Sequence, residues 1–150
     1  MIEIREARKD DLREIVTLLA DDELGQQRES IAHPLNRAYV RAFDEIEADD
    51  RQMLIVAVLD GHIVGSLQIS IIPGLARTGT TRGQLEAIRI SRDHRGKGIG
   101  TTLIQWAVDE CRRRQCGLVQ LTSDKTRTKA HDFYLRMGFV PSHEGFKLDL

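Results

Sequence analysis

The chain has 150 residues, 41% of them apolar and 30% charged, with 22 Lys+Arg against 23 Asp+Glu for a formal net charge of -1. That size suits one domain over 1–150 with a real core, and the composition excludes disordered and fibrous classes. The charge balance argues against a nucleic-acid partner. The longest apolar run, Met53 to Leu59, is far too short to span a membrane, and no basic, then apolar stretch opens the chain as an export signal. A cytoplasmic protein is expected. Cys111 and Cys116, five apart on one predicted helix, are not expected to face each other or form a disulfide.

In chain order, Ile2 to Glu6 alternates as an opening strand. Asp10 or Asp11 then caps a helix with Leu12, Ile15, Val16 and Leu19 on one face. A second helix carries Leu35, Ala38, Tyr39, Ala42, Phe43 and Ile46, and the acidic cluster Asp44 to Asp50 ends it. Leu54 to Leu59 and His62 to Ile72 flank Asp60-Gly61, a strong hairpin signal. Pro73 to Gly83 reads as a loop, in which Arg77 and Arg82 suit an acceptor bearing phosphonate or carboxylate. Gln84 to Ile90 is the next strand. Gly98 to Gln115 is the clearest helix, with a stripe of Leu103, Ile104, Ala107, Val108 and Cys111. Leu118 to Thr122 is a strand, Lys125 to Met137 a helix stopped by Gly138, and Phe139 to Leu150 supplies one or two final strands. The order predicts a mixed α/β fold with an antiparallel front and a βαβ-like back.

The segment from Leu85 to Gly100 is the most informative. A strand runs into a loop with alternate glycines at 96, 98 and 100, and a helix begins directly. Glycines let N–H groups converge, and the helix start adds unpaired donors and a positive dipole end. The combination is an anion site suited to a pyrophosphate, with Arg92, Arg95 and Lys97 adding charge. The P-loop spacing fails, and so does the dinucleotide fingerprint. The alternative is a glycine-rich surface turn with no ligand.

Arg95-Gly96-Lys97-Gly98-Ile99-Gly100 resembles the R/Q-x-x-G-x-G/A signature of the GNAT superfamily of N-acetyltransferases. Ala130-His131-Asp132-Phe133-Tyr134-Leu135-Arg136-Met137-Gly138-Phe139 resembles that family's A-x-x-φ-Y-x-x-x-G-F segment, φ being apolar. Within the family, Thr122 to Tyr134 and Ser142-His143 are similar to aminoalkylphosphonate N-acetyltransferases. The resemblance implies a central, mostly antiparallel mixed sheet flanked by helices. Two central strands, Glu86 to Ile90 and Leu118 to Thr122, would splay in a V that admits acetyl-CoA. It implies cofactor contacts at Ile88 and Ile90 (pantetheine) and at Arg95, Gly96, Lys97, Gly98, Ile99, Gly100 and Thr101 (pyrophosphate). Arg127 stands where many members have Asn, and is expected to reach polar groups of the cofactor as a cation.

Acetyl transfer to an amine needs a neutral amine, a stabilised oxyanion and an acid for the leaving thiolate. Glu86, two residues before Ile88 and so expected on the same strand face, is the candidate base; the alternative is an ion pair or a contact to a cationic substrate. The resemblance places Tyr134 near the thioester sulfur as an acid, against the alternative of an aromatic core residue. A backbone N–H near Ile88, where such strands bulge, would face the oxyanion. His131 and His143 are expected near the acceptor side, with no metal site assigned; His33, His62 and His94 read as surface or loop residues. The resulting expectation is an acetyl-CoA-dependent N-acetyltransferase acting on a small-molecule primary amine through a ternary complex. Protein N-termini or lysines are alternative acceptors, and a non-catalytic acyl-CoA-binding regulator is the other reading. A homodimer is expected from the resemblance and the apolar C-terminal segment.

Overall fold

A computed structural model describes residues Met1–Leu150. Five strands, β1 (Glu3–Glu6), β2 (Gln52–Leu59), β3 (His62–Ile72), β4 (Arg82–Ile90) and β5 (Leu118–Leu121), form one sheet in the order β1-β2-β3-β4-β5. All neighbours are antiparallel except β4 and β5, which are parallel. The helices are α1 (Leu12–Leu19), α2 (Glu23–Arg28), α3 (Arg37–Glu47), a four-residue turn α4 (Ala76–Gly79), α5 (Ile99–Arg113) and α6 (Thr128–Arg136). No helix is long and apolar enough to cross a membrane.

The β2–β3 hairpin turns on Asp60 and Gly61 at φ 51° and 81°, the double positive φ of the turn that suits strand twist. Helix α5 is the crossover that makes β4 and β5 parallel, so the β4-α5-β5 unit is the βαβ back read from sequence. Its Ile99, Leu103, Ile104, Ala107 and Cys111 join Met53, Ile55, Ala57, Leu67, Ile69 and Leu85 in the main core, and α6 packs beside them through Phe133, Tyr134 and Met137. On the opposite face, Ile15 and Leu18 of α1 meet Val56 and Ile63, while Leu12 and Val16 meet Phe43 of α3. Strand β2 is therefore covered on both sides, which is why Ile55, Val56 and Ala57 are all fully buried in succession.

Three expectations change. Helix α2 was not expected; Asp22 caps it by accepting from the Gly25 N–H at 2.5 Å. Residues 139–150 form no strand. Their alternation is a strand pattern, but a pattern needs a partner edge, and none is paired with them in this chain. The two cysteines do meet. The helix ends at Arg113, and Gln115 at φ 63° turns the chain back, so Cys116 lies off the helix with its thiol beside that of Cys111, both next to Gly83. Both thiols are free.

Candidate functional site

Strand β5 pairs only with the first four residues of β4, from Arg82↔Leu118 to Leu85↔Leu121. Beyond Leu85 the two diverge, and the edge of β4 from Glu86 to Ile90 has no neighbouring strand on that side. This is the V-shaped gap. Side chains occupy part of its edge: Arg89 Nη1 donates to the Ile88 carbonyl at 2.8 Å and Arg95 Nε to the Ile90 carbonyl at 3.2 Å.

A bulge sits in the same stretch. The β3–β4 register passes from Ser66↔Arg89 to Gln68↔Glu86, so Ala87 and Ile88 together oppose Leu67. Ala87 takes φ 51°, the left-handed region that a non-glycine residue seldom adopts. The extra residue reverses the face alternation. Ile88 packs against the main core with Leu85, whereas Glu86 is exposed and pairs with Gln68. The expectation that Glu86 and Ile88 share a face is thus corrected by the bulge.

The gap leads into the glycine loop. The first intrahelical bond runs from Thr102 N–H to the Gly98 carbonyl, and the N–H groups of residues 96 to 101 have no partner in the chain. Six consecutive free donors at a helix start form a strong anion cradle. Gly96 and Gly98 take φ 74° and 80°, and a Cβ at either would project into open space. A long polyanionic group therefore has room against the backbone there. Gly100 differs: a Cβ on it would stand 3.4 Å from Phe133 Cζ, in ordinary van der Waals contact with α6. Of the three cations, Lys97 is free of ion pairs and Arg95 reaches Ile90, but Arg92 is bound at 3.6 Å to Asp21.

Tyr134 lies half-buried between Phe133 and Phe139, with ring centroids 5.4 and 6.0 Å away. Burial pushes its phenol above the ordinary value, while the positive charges of Arg89 and Arg127 pull in the other direction. Beside it is a cluster not seen in the sequence. Asp22, from the α1–α2 connection, accepts from Arg127 Nη1, and Arg89 Nε lies 3.9 Å from the same carboxylate oxygen. Burial would raise Asp22, but the Gly25 N–H and the Arg127 guanidinium outweigh it and hold the carboxyl low. Burial and the like charge of Arg127 lower Arg89. Arg89 Nε and Arg127 Nη2 are buried without hydrogen-bond partners. Arg127 is thus turned toward Asp22, a partner that its sequence neighbours do not reveal.

Behind the bulge lies a cavity of about 130 Å³ between α1, α3 and the sheet, lined mainly by apolar side chains such as Leu19, Tyr39 and Leu54, with Ser66, Gln68 and Ala87 on the sheet side. Gln68 continues into a polar row that the sequence reading passed over. Gln52 Oε1 accepts from Gln68 at 3.0 Å and from Ser70 at 2.7 Å, and Gln120 donates to Gln84 at 2.7 Å. Its signal was polar residues at period two (Ser66, Gln68, Ser70) inside a strand otherwise read as apolar. The Arg77–Arg82 segment lies elsewhere. Arg82 starts β4 and Ile90 ends it, roughly 26 Å away at strand rise, so that loop is at the far end of the sheet from the gap. His131 is held by the Asp124 carbonyl at 2.8 Å and His143 by Ser142 at 2.7 Å.

An open β4/β5 gap, a bulge at its throat and a free-donor loop at a helix start define an acyl-CoA-type N-acyltransferase fold. Residues 10–139 match the acetyltransferase (GNAT) family, and the chain belongs to that family. It is similar to the aminoalkylphosphonate N-acetyltransferase of Salmonella typhimurium, 31% identical over 91 residues, which are 61% of this chain and 58% of that one. It also resembles the streptothricin acetyltransferase of Streptomyces lavendulae, 33% identical over 94 residues, 63% of this chain and 47% of that one. The chain thus spans about half the length of these two curated relatives. Among solved structures, a Bacillus halodurans protein described as a transcriptional regulator superposes with a TM-score of 0.98 at 45% identity, covering 100% of both chains.

Proposed function

We propose that this chain, as a single domain over 1–150, is an N-acetyltransferase that moves the acetyl group of acetyl-CoA to a primary amine of a small molecule within a ternary complex. The observation that carries the reading is the unbroken run of free N–H donors from Gly96 to Thr101 at the mouth of the β4/β5 gap. These groups, with Arg95, Lys97, Gly98, Ile99 and Gly100, suit the pyrophosphate. The free edge of β4 at Ile88 and Ile90 suits an extended amide-bearing arm, provided that the Arg89 and Arg95 side chains release the two carbonyls. When bound, the thioester supplies the electrophilic carbonyl.

The protein's part is proton handling and charge stabilisation. Exposed Glu86, next to the bulge, takes a proton from the incoming ammonium through water. The bulge at Ala87 leaves an N–H out of the ladder near Ile88 to donate to the oxygen on which charge develops. Tyr134, whose hydroxyl makes no hydrogen bond within the chain and whose pKa lies above the ordinary phenol value, stays protonated and donates to the departing thiolate. Arg127 meets polar groups of the cofactor only after parting from Asp22. The small cavity behind the bulge favours a small-molecule acceptor over a protein, as do the names of the two curated relatives. The acting form is a cytoplasmic homodimer without a nucleic-acid or membrane partner.

A second reading, an acyl-CoA-binding regulator without turnover, is favoured by the description of the Bacillus halodurans protein. One experiment separates the two: a panel of amines screened for thiol release at constant acetyl-CoA. Release with any amine establishes the transferase. Binding of acetyl-CoA without release across phosphonate-, carboxylate- and sugar-bearing amines and peptides favours the regulator.

A further inference from the structure

Residues three apart on a regular strand stand on opposite faces of the sheet. Glu86 and Arg89 do not, because the bulge at Ala87 adds a residue between them. Glu86 pairs with Gln68 and Arg89 with Ser66, and both partners floor the cavity of about 130 Å³ beneath α1 and α3. Two residues of β3 separate the two pairs. A carboxylate and a guanidinium therefore share this face, with attachment points about 7 Å apart at strand rise.

The two charges do not cancel each other. Glu86 is exposed, and none of the chain's ion pairs includes it. Arg89 and Arg127 share the single carboxylate of Asp22, so one positive charge is left over. The Arg89 side chain is 18% exposed, yet its only hydrogen bond runs from Nη1 to the Ile88 carbonyl at 2.8 Å. Its Nε and the neighbouring Arg127 Nη2 are buried without a partner. A guanidinium so poorly matched and so far from water has a deficit that an anion fills. A cofactor arm on the β4 edge takes even the Ile88 carbonyl, which deepens the deficit.

We propose that the acceptor is a short zwitterionic amine: Arg89 holds its carboxylate or phosphonate, its ammonium meets Glu86, and its small apolar body enters the cavity between α1, α3 and the sheet. The cavity has the room of about four waters at liquid density, which limits that body to a few carbon atoms. Asp22 positions the guanidinium, and Arg127 adds charge beside it. The anion contact that the sequence reading gave to Arg77 and Arg82 thus falls to Arg89, at the gap end of β4. The inference deepens the transferase reading and rests on it for the role of the amine.

Propylamine, β-alanine and aminoethylphosphonate share one framework and differ in the terminal group. Thiol release from acetyl-CoA, and calorimetric binding in the presence of coenzyme A, are measured with each. The wild type is expected to favour at least one anionic probe over propylamine by about tenfold or more, the scale of one charge-assisted hydrogen bond. The anion preferred identifies the acceptor's terminal group. In Arg89→Gln that ratio is expected to fall close to one, chiefly through KM, with circular dichroism checking the fold. Arg89→Lys keeps the charge without the fork; its ratio is expected between the two, and it carries the comparison if the glutamine variant does not fold. Equal use of propylamine by the wild type, or an unchanged ratio in the variants, overturns the proposal and leaves the transferase standing. Arg89-dependent binding of an anionic probe without thiol release supports the anion site and removes the transferase reading instead. Neither binding nor release with any probe overturns the proposal.

Discussion

Asp22 and Arg127, 105 residues apart in sequence, form an ion pair that ties the α1–α2 connection to the start of α6 beside the β4/β5 gap. Arg89 of β4 shares the carboxylate, Arg92 holds neighbouring Asp21, and Arg28 lies 3.7 Å from Asp124. The α2 segment is therefore strapped to both walls of the gap. Asp22→Asn leaves two half-buried guanidinium groups without a counter-charge and is expected to destabilise the fold by about 1–2 kcal/mol, a buried-pair loss discounted for partial exposure. Chemical denaturation at neutral pH measures it.

The sign of the acid dependence follows from the same residue. Asp22 is held below its ordinary 3.8, as is Asp11, which accepts from both Arg5 Nη1 and Nη2 at 2.7 and 3.1 Å. A carboxyl whose folded pKa is lowered contributes stability that is fully present above 3.8 and is lost as pH falls through the folded value. Stability should fall below about pH 4 in the wild type. That acid slope should be shallower in Asp22→Asn; an unchanged slope would show that Asp22 is no determinant of it.

Gly98→Val tests the cradle. At φ 80° a β-branched residue is strained by roughly 1–2 kcal/mol, and its side chain enters the open space over the loop. The variant should stay folded and lose the rise in Tm that millimolar acetyl-CoA produces in the wild type. Full retention of that rise would place the cofactor elsewhere.

For the chemistry, Tyr134→Phe is expected to lower turnover ten- to a thousandfold, about 1.4–4 kcal/mol of transition-state stabilisation, with little change in acetyl-CoA affinity. Because burial raises the Tyr134 pKa, the wild-type phenol remains an acid throughout the neutral range, and its loss should not be rescued by raising the pH. Glu86→Gln should behave in the opposite way. Its defect should shrink at high pH, where the amine is already neutral. Both are read from pH–rate profiles on an acceptor found in the panel, and full turnover by Tyr134→Phe under chemistry-limited conditions would reduce the phenol to packing.

The cysteines should be quiet. Burial, followed by the neighbouring Cys116 thiol, pushes Cys111 up to about 12, leaving almost no thiolate at neutral pH. Gly83 seals the pair, since a Cβ there would come within 2.4 Å of Cys111 Sγ. Alkylation at neutral pH should modify Cys111 only after unfolding; rapid labelling of the native protein would contradict the burial.

Most of the scaffold was legible because its signals are local. The Asp60-Gly61 turn, the α5 stripe and the glycine alternation at 96, 98 and 100 depend on φ/ψ and side-chain spacing within a few residues. These sufficed for the βαβ back, the anion loop and the Arg95–Gly100 and Ala130–Phe139 motifs, which led to the family. What the sequence left open depends on distant partners. A bulge is a mismatch between two strands, so nothing in Leu85 to Ile90 alone announced that Ala87 would turn Ile88 away from Glu86's face. Arg127 read as a free cation because its partner, Asp22, is brought to it only by the packing of α2 across the gap. Cys116 met Cys111 because the helix stopped two residues before a left-handed Gln115. The tail shows the same division: alternation determined that Phe146 to Leu150 can be a strand, but only the assembled sheet decided that the chain does not pair it with itself.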